Sequence, residues 1–170
     1  LNITSWNFNI EENVLGINGT ISKTNGFIKA NTYSSLSFGG SGDLQLPDNL
    51  FTSAPAINNV TLDKTSGSIT LGQNMFINST LSLTKGLLIL GNCDLSIGSM
   101  GSIDGTPSAT NMVIANSNGK LFKNIADSKL QTFSFVYPVG DTIGADEYSP
   151  VSLNFGSGTY SNAYAGVNVV

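Results

Sequence analysis

The stretch between Phe76 and Gly98 constrains the fold more than any other part of the chain. Apolar Ile77, Leu81 and Leu83 alternate with small polar residues, a Lys-Gly turn follows at 85–86, and a second turn precedes a short final apolar segment. Alternation with a period of two is typical of a β-strand. The stretch therefore predicts three short strands joined by two tight turns, with no room for a helix.

The same pattern occurs about 60 positions earlier, over residues 16–39, and matching residue types recur in order. The matched pairs include Ile17/Ile77, Asn18/Asn78, Thr20/Thr80, Ile21/Leu81, Ser22/Ser82, Thr24/Thr84, Gly26/Gly86, Phe27/Leu87 and Ile28/Leu88. A unit of such short strands cannot close a core alone, but stacked turns of the chain would bury one continuous apolar column. We expect an all-β fold of the β-helix or solenoid type, with rungs of about 20 residues; a β-sandwich is the alternative.

The pattern of apolar and polar residues changes after a Gly/Ser/Pro/Thr-rich segment at 99–111. The segments 112–115 and 120–125 flank a turn and predict a hairpin. Longer strands with alternating apolar and polar residues are predicted at 132–141, 148–155 and 163–170. This pattern is typical of an antiparallel sheet with one face exposed to solvent. We therefore expect a repeat-built solenoid over 1–105, with two related units about 60 residues apart, and an antiparallel β cap or second subdomain over 106–170.

Composition excludes several functions. Only 11% of the 170 residues are charged, the net charge is −4, and the seven basic residues are all lysines. Nucleic-acid binding needs a concentrated basic surface, so no nucleic-acid partner is expected. The sequence has no His and one Cys, Cys93, which predicts neither a zinc site nor an internal disulfide. No apolar run approaches the length of a membrane span, so no membrane insertion is expected. Because the chain opens with Leu, we expect it to be part of a larger polypeptide.

Two motifs carry a resemblance that covers residues 14–155. The repeat stretch 58–98 and the later segment with Pro138, Gly140 and Asp141 resemble the Thr/Leu/Gly-rich repeats of very large secreted surface proteins of Bacteroidetes bacteria. The positions that carry it are Val60, Thr61, Leu62, Gly67, Ile69, Thr70, Leu71, Gly72, Thr80, Leu81, Leu83, Gly86, Leu88, Leu90, Gly91, Leu95, Gly98, Gly119, Lys120, Leu121, Lys123, Phe133, Phe135, Pro138, Val139, Gly140, Asp141, Tyr148, Ser149, Pro150 and Val151. The sequence departs from the family pattern at two positions: Cys93 stands where the family usually has Asn, and Tyr137 stands before Pro138. Such proteins are typically exported across the outer membrane, often by the type IX route, and many are adhesins or unassigned. The resemblance therefore implies a secreted or cell-surface location, but no activity.

Few residues suggest chemistry. Asp43, Asp48, Asp63, Asp94 and Asp104 occur singly, mostly in Gly-rich turns, where an Asp usually caps its own backbone. Such spacing predicts no catalytic site, and the remaining enzymatic alternative is a β-helix polysaccharide lyase or hydrolase. No metal site and no cofactor are expected; the GGSGD turn at 39–43 is the one weak calcium-like feature.

Exposed aromatic side chains would indicate carbohydrate binding, because the faces of sugar rings stack on them. Tyr33 lies among Asn, Thr and Ser and is the weak candidate for ligand binding. Trp6 and Phe8 share the parity of Ile10 and are predicted to face the core; the alternative is that Trp6 is exposed and is itself a candidate ring for stacking on a sugar. The other candidate rings are Tyr137, Tyr148, Tyr160 and Tyr164, most of them expected to be half-buried. The leading hypothesis is a non-catalytic stalk or adhesin module, with extracellular glycans or surface proteins as partners. The alternative is a carbohydrate-binding module of a secreted polysaccharide-degrading enzyme.

Overall fold

A computed structural model describes residues 1–52 and 56–169. The chain is all-β, with 58% of the described residues in β-structure, and it forms a β-solenoid of about 5 turns with a C-terminal antiparallel sheet. The strands are β1 (Asn2–Ile3), β2 (Phe8–Glu11), β3 (Val14–Ile17), β4 (Ser22–Lys23), β5 (Ile28–Ala30), β6 (Ser35–Phe38), β7 (Leu44–Gln45), β8 (Ala56–Thr70), β9 (Met75–Ile89), β10 (Leu95–Ile97), β11 (Ser102–Gly105), β12 (Val113–Ile114), β13 (Leu121–Asn124), β14 (Ser128–Tyr137), β15 (Val139–Asp141), β16 (Glu147–Tyr148), β17 (Val151–Tyr160) and β18 (Tyr164–Val167). The predicted last strand reached Val170, which lies outside the described residues.

Parallel pairing between successive rungs builds the solenoid. Paired residues on neighbouring rungs lie 19 to 26 positions apart, as Ile69 to Leu88 and Leu95 to Leu121 show. The predicted rung of about 20 residues is at the short end of this range. A parallel strand pair needs a long connection between its strands, and here the remainder of each rung is that connection. The solenoid prediction is confirmed, and the sandwich alternative is wrong.

The interior consists of stacked apolar columns. One column runs through Leu15, Leu36, Val60, Leu81 and Ile103, each paired with the next across neighbouring rungs. A second column runs through Leu44, Ile69, Leu88, Val113 and Val139. The alternation that the sequence shows between Phe76 and Gly98 arises here, because Ile77, Leu81 and Leu83 are fully buried. One contiguous hydrophobic cluster therefore extends from the first rung to the last.

The 60-residue offset of the sequence does not follow these columns. Ile17 stacks in register with Phe38, then Leu62, then Leu83, whereas Ile77 stacks with Ile57 and Ile97. The repeating unit of the structure is therefore the single rung. Variation in corner length shifts the register, so that residues 60 positions apart occupy different columns.

Small polar residues form ladders on the outside of the solenoid. Ser37, Thr61 and Ser82 lie in register on three successive rungs and are half-exposed. At another corner the side chain of Asn74 accepts the backbone N–H of Asp94 at 2.9 Å, and the side chain of Asp94 accepts the backbone N–H of Lys120 at 2.9 Å. Each side chain thus satisfies a backbone donor of the next rung, where the sequence predicted that turn aspartates cap their own backbone.

Left-handed glycines shape the corners between faces. The Lys-Gly turn at 85–86 does not end a strand, because β9 continues its pairing with β8 on both sides of it. Gly86 has φ +101° and Gly67, on the preceding rung, has φ +80°. A Cβ at Gly67 would overlap the backbone of Gly42. Glycine is required at such a position because it has no Cβ and tolerates positive φ.

The C-terminal segment departs from the predicted hairpin. Among the described residues β12 pairs in parallel with β9 and β15, and β13 pairs in parallel with β10 and antiparallel with β18. The predicted hairpin of 112–115 with 120–125 is therefore wrong: the turn between the two segments is a corner within one rung. Parallel stacking continues past residue 105, and the division at 105/106 stays a prediction of domain organisation.

Antiparallel pairing at the C-terminal end matches the predicted sheet. It joins β13 to β18 and β15 to β16, while β14 and β17 form a ten-residue ribbon. On one face of the ribbon Phe133 lies opposite Phe155 and Phe135 opposite Leu153. Tyr137, at the base of the ribbon, is fully buried and anchors this sheet to the solenoid core.

Candidate functional site

Tyr33 is held on a rigid corner. It follows β5, and 65% of its side chain is exposed. The side chain of Asn31 accepts the backbone N–H of Tyr33 at 2.8 Å, and the backbone N–H of Asn31 donates to Ser34 Oγ at 2.9 Å. The Ser34 hydroxyl also donates to the carbonyl oxygen of Glu11 on the preceding rung. The predicted exposure of Tyr33 is confirmed; its binding role stays a prediction.

Trp6 does not face the core, so that prediction is wrong. Its side chain is 86% exposed and that of Phe8 is 41% exposed. The reason is local: β2 begins only at Phe8, and a bend at residues 4–6 interrupts the alternation that the sequence suggested. Within β2 only Ile10 is buried.

The structure places the other aromatic candidates in the C-terminal part of the chain, on and after the ribbon strand β14. Tyr164 is 68% exposed in the last strand, and its ring meets Phe122 edge to face at 5.7 Å. Tyr137 is buried, donates its hydroxyl to the carbonyl oxygen of Ala165 at 3.0 Å, and has its pKa raised to about 12 by burial. Tyr148 is half-buried, and burial raises its pKa as well.

The surroundings of Cys93 do not activate its thiol, and the aspartates of the described residues do not gather into a metal site. Cys93 is half-buried at the turn before β10, and burial, followed by the charges of Asp48 and Asp94, raises the pKa of its thiol. A raised pKa disfavours the nucleophilic thiolate. Within residues 1–52 and 56–169 no three His, Cys, Asp or Glu side chains lie close enough together to hold a metal ion.

One concave feature of the surface is a cleft of about 370 Å³, called here the corner cleft. It lies at a corner of the solenoid, where residues 64–68 of β8 stack on residues 85–87 of β9. Its lining residues are Asp43, Lys64, Thr65, Ser66, Gly67, Ser68, Lys85, Gly86, Leu87, Ile89, Thr110 and Asp146. These residues come from five chain segments that are distant in sequence, and the solenoid brings them together.

Charged groups of both signs line the corner cleft. Asp43 Oδ1 accepts the hydroxyl and the backbone N–H of Ser68, each at 2.9 Å, and these bonds hold the pKa of the Asp43 carboxyl below its ordinary value. Lys64 is 2% exposed and donates to the carbonyl oxygen of Gly39 at 3.2 Å. Lys85 and Asp146 are exposed. The accessible charges are therefore two carboxylates and the ammonium group of Lys85.

A second groove lies between the ribbon and the solenoid. Its lining includes Ile103 of β11, Lys123 of β13 and Phe135 of β14. Lys123 is 5% exposed; it donates to the carbonyl oxygens of Gly98 and of Ser99, the latter at 2.9 Å, and its Nζ lies 5.5 Å from the centre of the Phe135 ring. Burial lowers its pKa to about 8. The ammonium group thus donates to two backbone carbonyls of the preceding rung and lies beside an aromatic ring of the ribbon.

Sequence reasoning singled out Asp43 in its glycine-rich turn but missed Lys85 and Asp146. Lys85 was recognised only as part of the Lys-Gly turn and Asp146 belongs to no motif, and their proximity depends on how rungs stack. One signal was available: the apolar run from Leu87 to Leu90 must place residues on both faces of a strand. Two of these, Leu87 and Ile89, point outward and are half-exposed.

The chain matches no protein-family model, no curated protein and no solved structure. In the part of the chain that the structure describes, no helix has the length and apolar character to cross a membrane.

Proposed function

We propose that this chain is a non-catalytic structural module of a secreted bacterial surface protein, serving as a stalk or adhesin segment within a larger polypeptide. The resemblance to Bacteroidetes surface repeats supports the secreted, cell-surface location. Extracellular glycans or surface proteins would be its partners, with no cofactor required.

The observation that carries the proposal is the uninterrupted hydrophobic cluster that joins all rungs of the solenoid. Each rung contacts only its neighbours, so the module lengthens along one axis without changing its cross-section. Side chains such as Asn74 and Asp94 add hydrogen bonds from rung to rung. A rod built in this way can separate and display flanking domains.

A replacement experiment in the producing bacterium tests the stalk. Deleting the module in frame should reduce cell adhesion, because the flanking domains lose their spacing. Inserting an unrelated β-solenoid with the same number of rungs should restore adhesion. If the foreign solenoid leaves adhesion as low as the deletion does, the module acts through its own surface and the stalk proposal is wrong.

The second candidate function is carbohydrate binding, favoured by Tyr33 and Trp6, which are 65% and 86% exposed. Aromatic rings held on ordered corners can stack on sugar faces. A glycan array of the purified chain tests this candidate, with Tyr33→Ala and Trp6→Ala as variants and Met100→Ala, at an exposed apolar residue that is not a candidate ring, as the control. Binding lost in either variant and retained in the control supports it; binding unchanged in all three argues against these rings.

A further inference from the structure

The corner cleft has an apolar floor on a surface that is otherwise polar. Leu87 and Ile89 point out of the strand, since their neighbours Leu88 and Leu90 belong to the core. Outward positions on the adjacent face are Ser37, Thr61 and Ser82. Ile114, which pairs with Ile89 on the next rung, is 1% exposed. The floor is therefore the part of an outward apolar strip that the chain itself leaves uncovered.

Polar groups surround this floor on several sides. Asp43 stands at one end, with Oδ1 engaged by Ser68 and no hydrogen bond to Oδ2 from the described residues. Asp146 comes from the loop before β16, and Lys85 precedes the corner glycine of β9. The hydroxyl-bearing residues Thr65, Ser66 and Thr110 complete the rim. Carboxylates accept hydrogen bonds only, whereas an ammonium group donates them.

The cleft is held in place by backbone packing. Gly67 and Gly86 both have positive φ, and a Cβ built on Gly86 would lie 3.1 Å from Lys64 Cβ. Lys64 in turn is fixed by its bond to the preceding rung. A site whose walls are already in place loses little conformational entropy on binding.

Size and charge define the ligand class. A volume of about 370 Å³ is at the small end of ligand pockets, which span about 300–1,000 Å³. Two carboxylates against one accessible ammonium group disfavour an anion. The match is a small neutral molecule with one apolar face and several hydroxyl groups at its edge.

We propose that the corner cleft binds one neutral sugar residue of a glycan. The C–H face of the sugar lies on Leu87 and Ile89. Its hydroxyl groups donate to the carboxylates of Asp43 and Asp146 and accept from Lys85. This site is separate from Tyr33 and Trp6, and it does not depend on the stalk function.

Titration of the ¹⁵N-labelled chain with methyl glycosides of glucose, galactose, mannose and N-acetylglucosamine tests the proposal. At least one glycoside should shift the amide signals of Gly67, Ser68 and Gly86 saturably, with a dissociation constant on the order of 1–10 mM for so small a ligand. Asp146→Asn and Leu87→Ser should each weaken binding about tenfold, through a lost charged acceptor and a lost apolar contact respectively.

Asp104→Asn is the matched control, because Asp104 is exposed on another face of the solenoid; it should leave binding unchanged. Spectra of all variants away from the cleft report that the fold is kept. Three results would overturn the proposal: no saturable shift at these amides with any of the four glycosides, shifts centred on Tyr33 or Trp6, or tighter binding of methyl glucuronide than of methyl glucoside. None of them would alter the outcome of the solenoid replacement experiment.

Discussion

Lys123, in the groove between the ribbon and the solenoid, predicts how the stability of the fold depends on pH. Its side chain is 5% exposed, and burial lowers its pKa from 10.5 to about 8. Below pH 8 the lysine is protonated in both the folded and the unfolded chain. Between pH 8 and 10 the folded chain releases this proton while the unfolded chain keeps it. Stability therefore rises with pH in that window.

The size of the effect follows from the shift. One pKa unit corresponds to about 1.4 kcal/mol, so the two pH units from 8 to 10 could add up to about 3 kcal/mol to the free energy of unfolding. Hydrogen bonds to the carbonyl oxygens of Gly98 and Ser99 favour the ammonium form and oppose the shift. We expect a gain of about 1–3 kcal/mol. The window ends at pH 10, because burial raises the pKa of Tyr137 to about 12 and ionisation of the unfolded tyrosine then lowers stability.

Urea unfolding at pH 7, 8, 9 and 10, followed by circular dichroism, measures this gain. Lys123→Met should remove the rise between pH 8 and 10, since a thioether does not titrate. Lys120→Met, at an exposed lysine in the preceding corner, should retain the rise. Comparing the pH dependence of each variant with that of the wild type cancels the other titrating groups. A difference in unfolding free energy between the wild type and Lys123→Met that stays constant from pH 8 to 10 would refute the reasoning.

Three further substitutions test the stacking. Leu81→Ala should cost about 2–5 kcal/mol because the side chain is fully buried between two rungs, and Ser82→Ala beside it should change stability by less than about 0.5 kcal/mol; equal costs in urea unfolding would contradict the column. Gly105→Ala should lower the melting temperature, since φ is +116° and a Cβ would overlap a carbonyl of the neighbouring rung; an unchanged melting temperature would argue against this corner. Asp94→Ala should cost about 0.5–1.5 kcal/mol and speed amide exchange at Lys120, whose N–H it accepts; unchanged exchange would exclude the inter-rung bond.

The core of the solenoid could be predicted from the sequence because alternation alone assigns inward residues. Ile77, Leu81 and Leu83, which alternate with small polar residues in the sequence, are all buried. Side chains alternate across a strand whatever its partner is. The inward set is therefore a local property, and local patterns are what a single sequence records.

Which strands pair with each other, in contrast, could not be predicted from the sequence. The turn between 112–115 and 120–125 has the composition of a hairpin turn, yet the two segments lie on different faces of one rung. A polar Asn/Ser/Gly turn serves either geometry, and the choice depends on edges that other rungs offer. Strands β9 and β10 present open parallel edges there, so stacking on them buries Val113 and Leu121 completely.

The corner cleft shows why a site of this kind is not visible in a sequence. The run from Leu87 to Leu90 predicts a strand with apolar residues on both faces, but it does not say what covers the outer face. In the structure Ile114, outward on the next rung, is buried, while Ile89 is only half-buried. Asp146, from the loop before β16, is one of the residues that line the cleft beside this strip. Rung stacking places the floor, a loop distant in sequence supplies part of the rim, and neither relation is local in the chain.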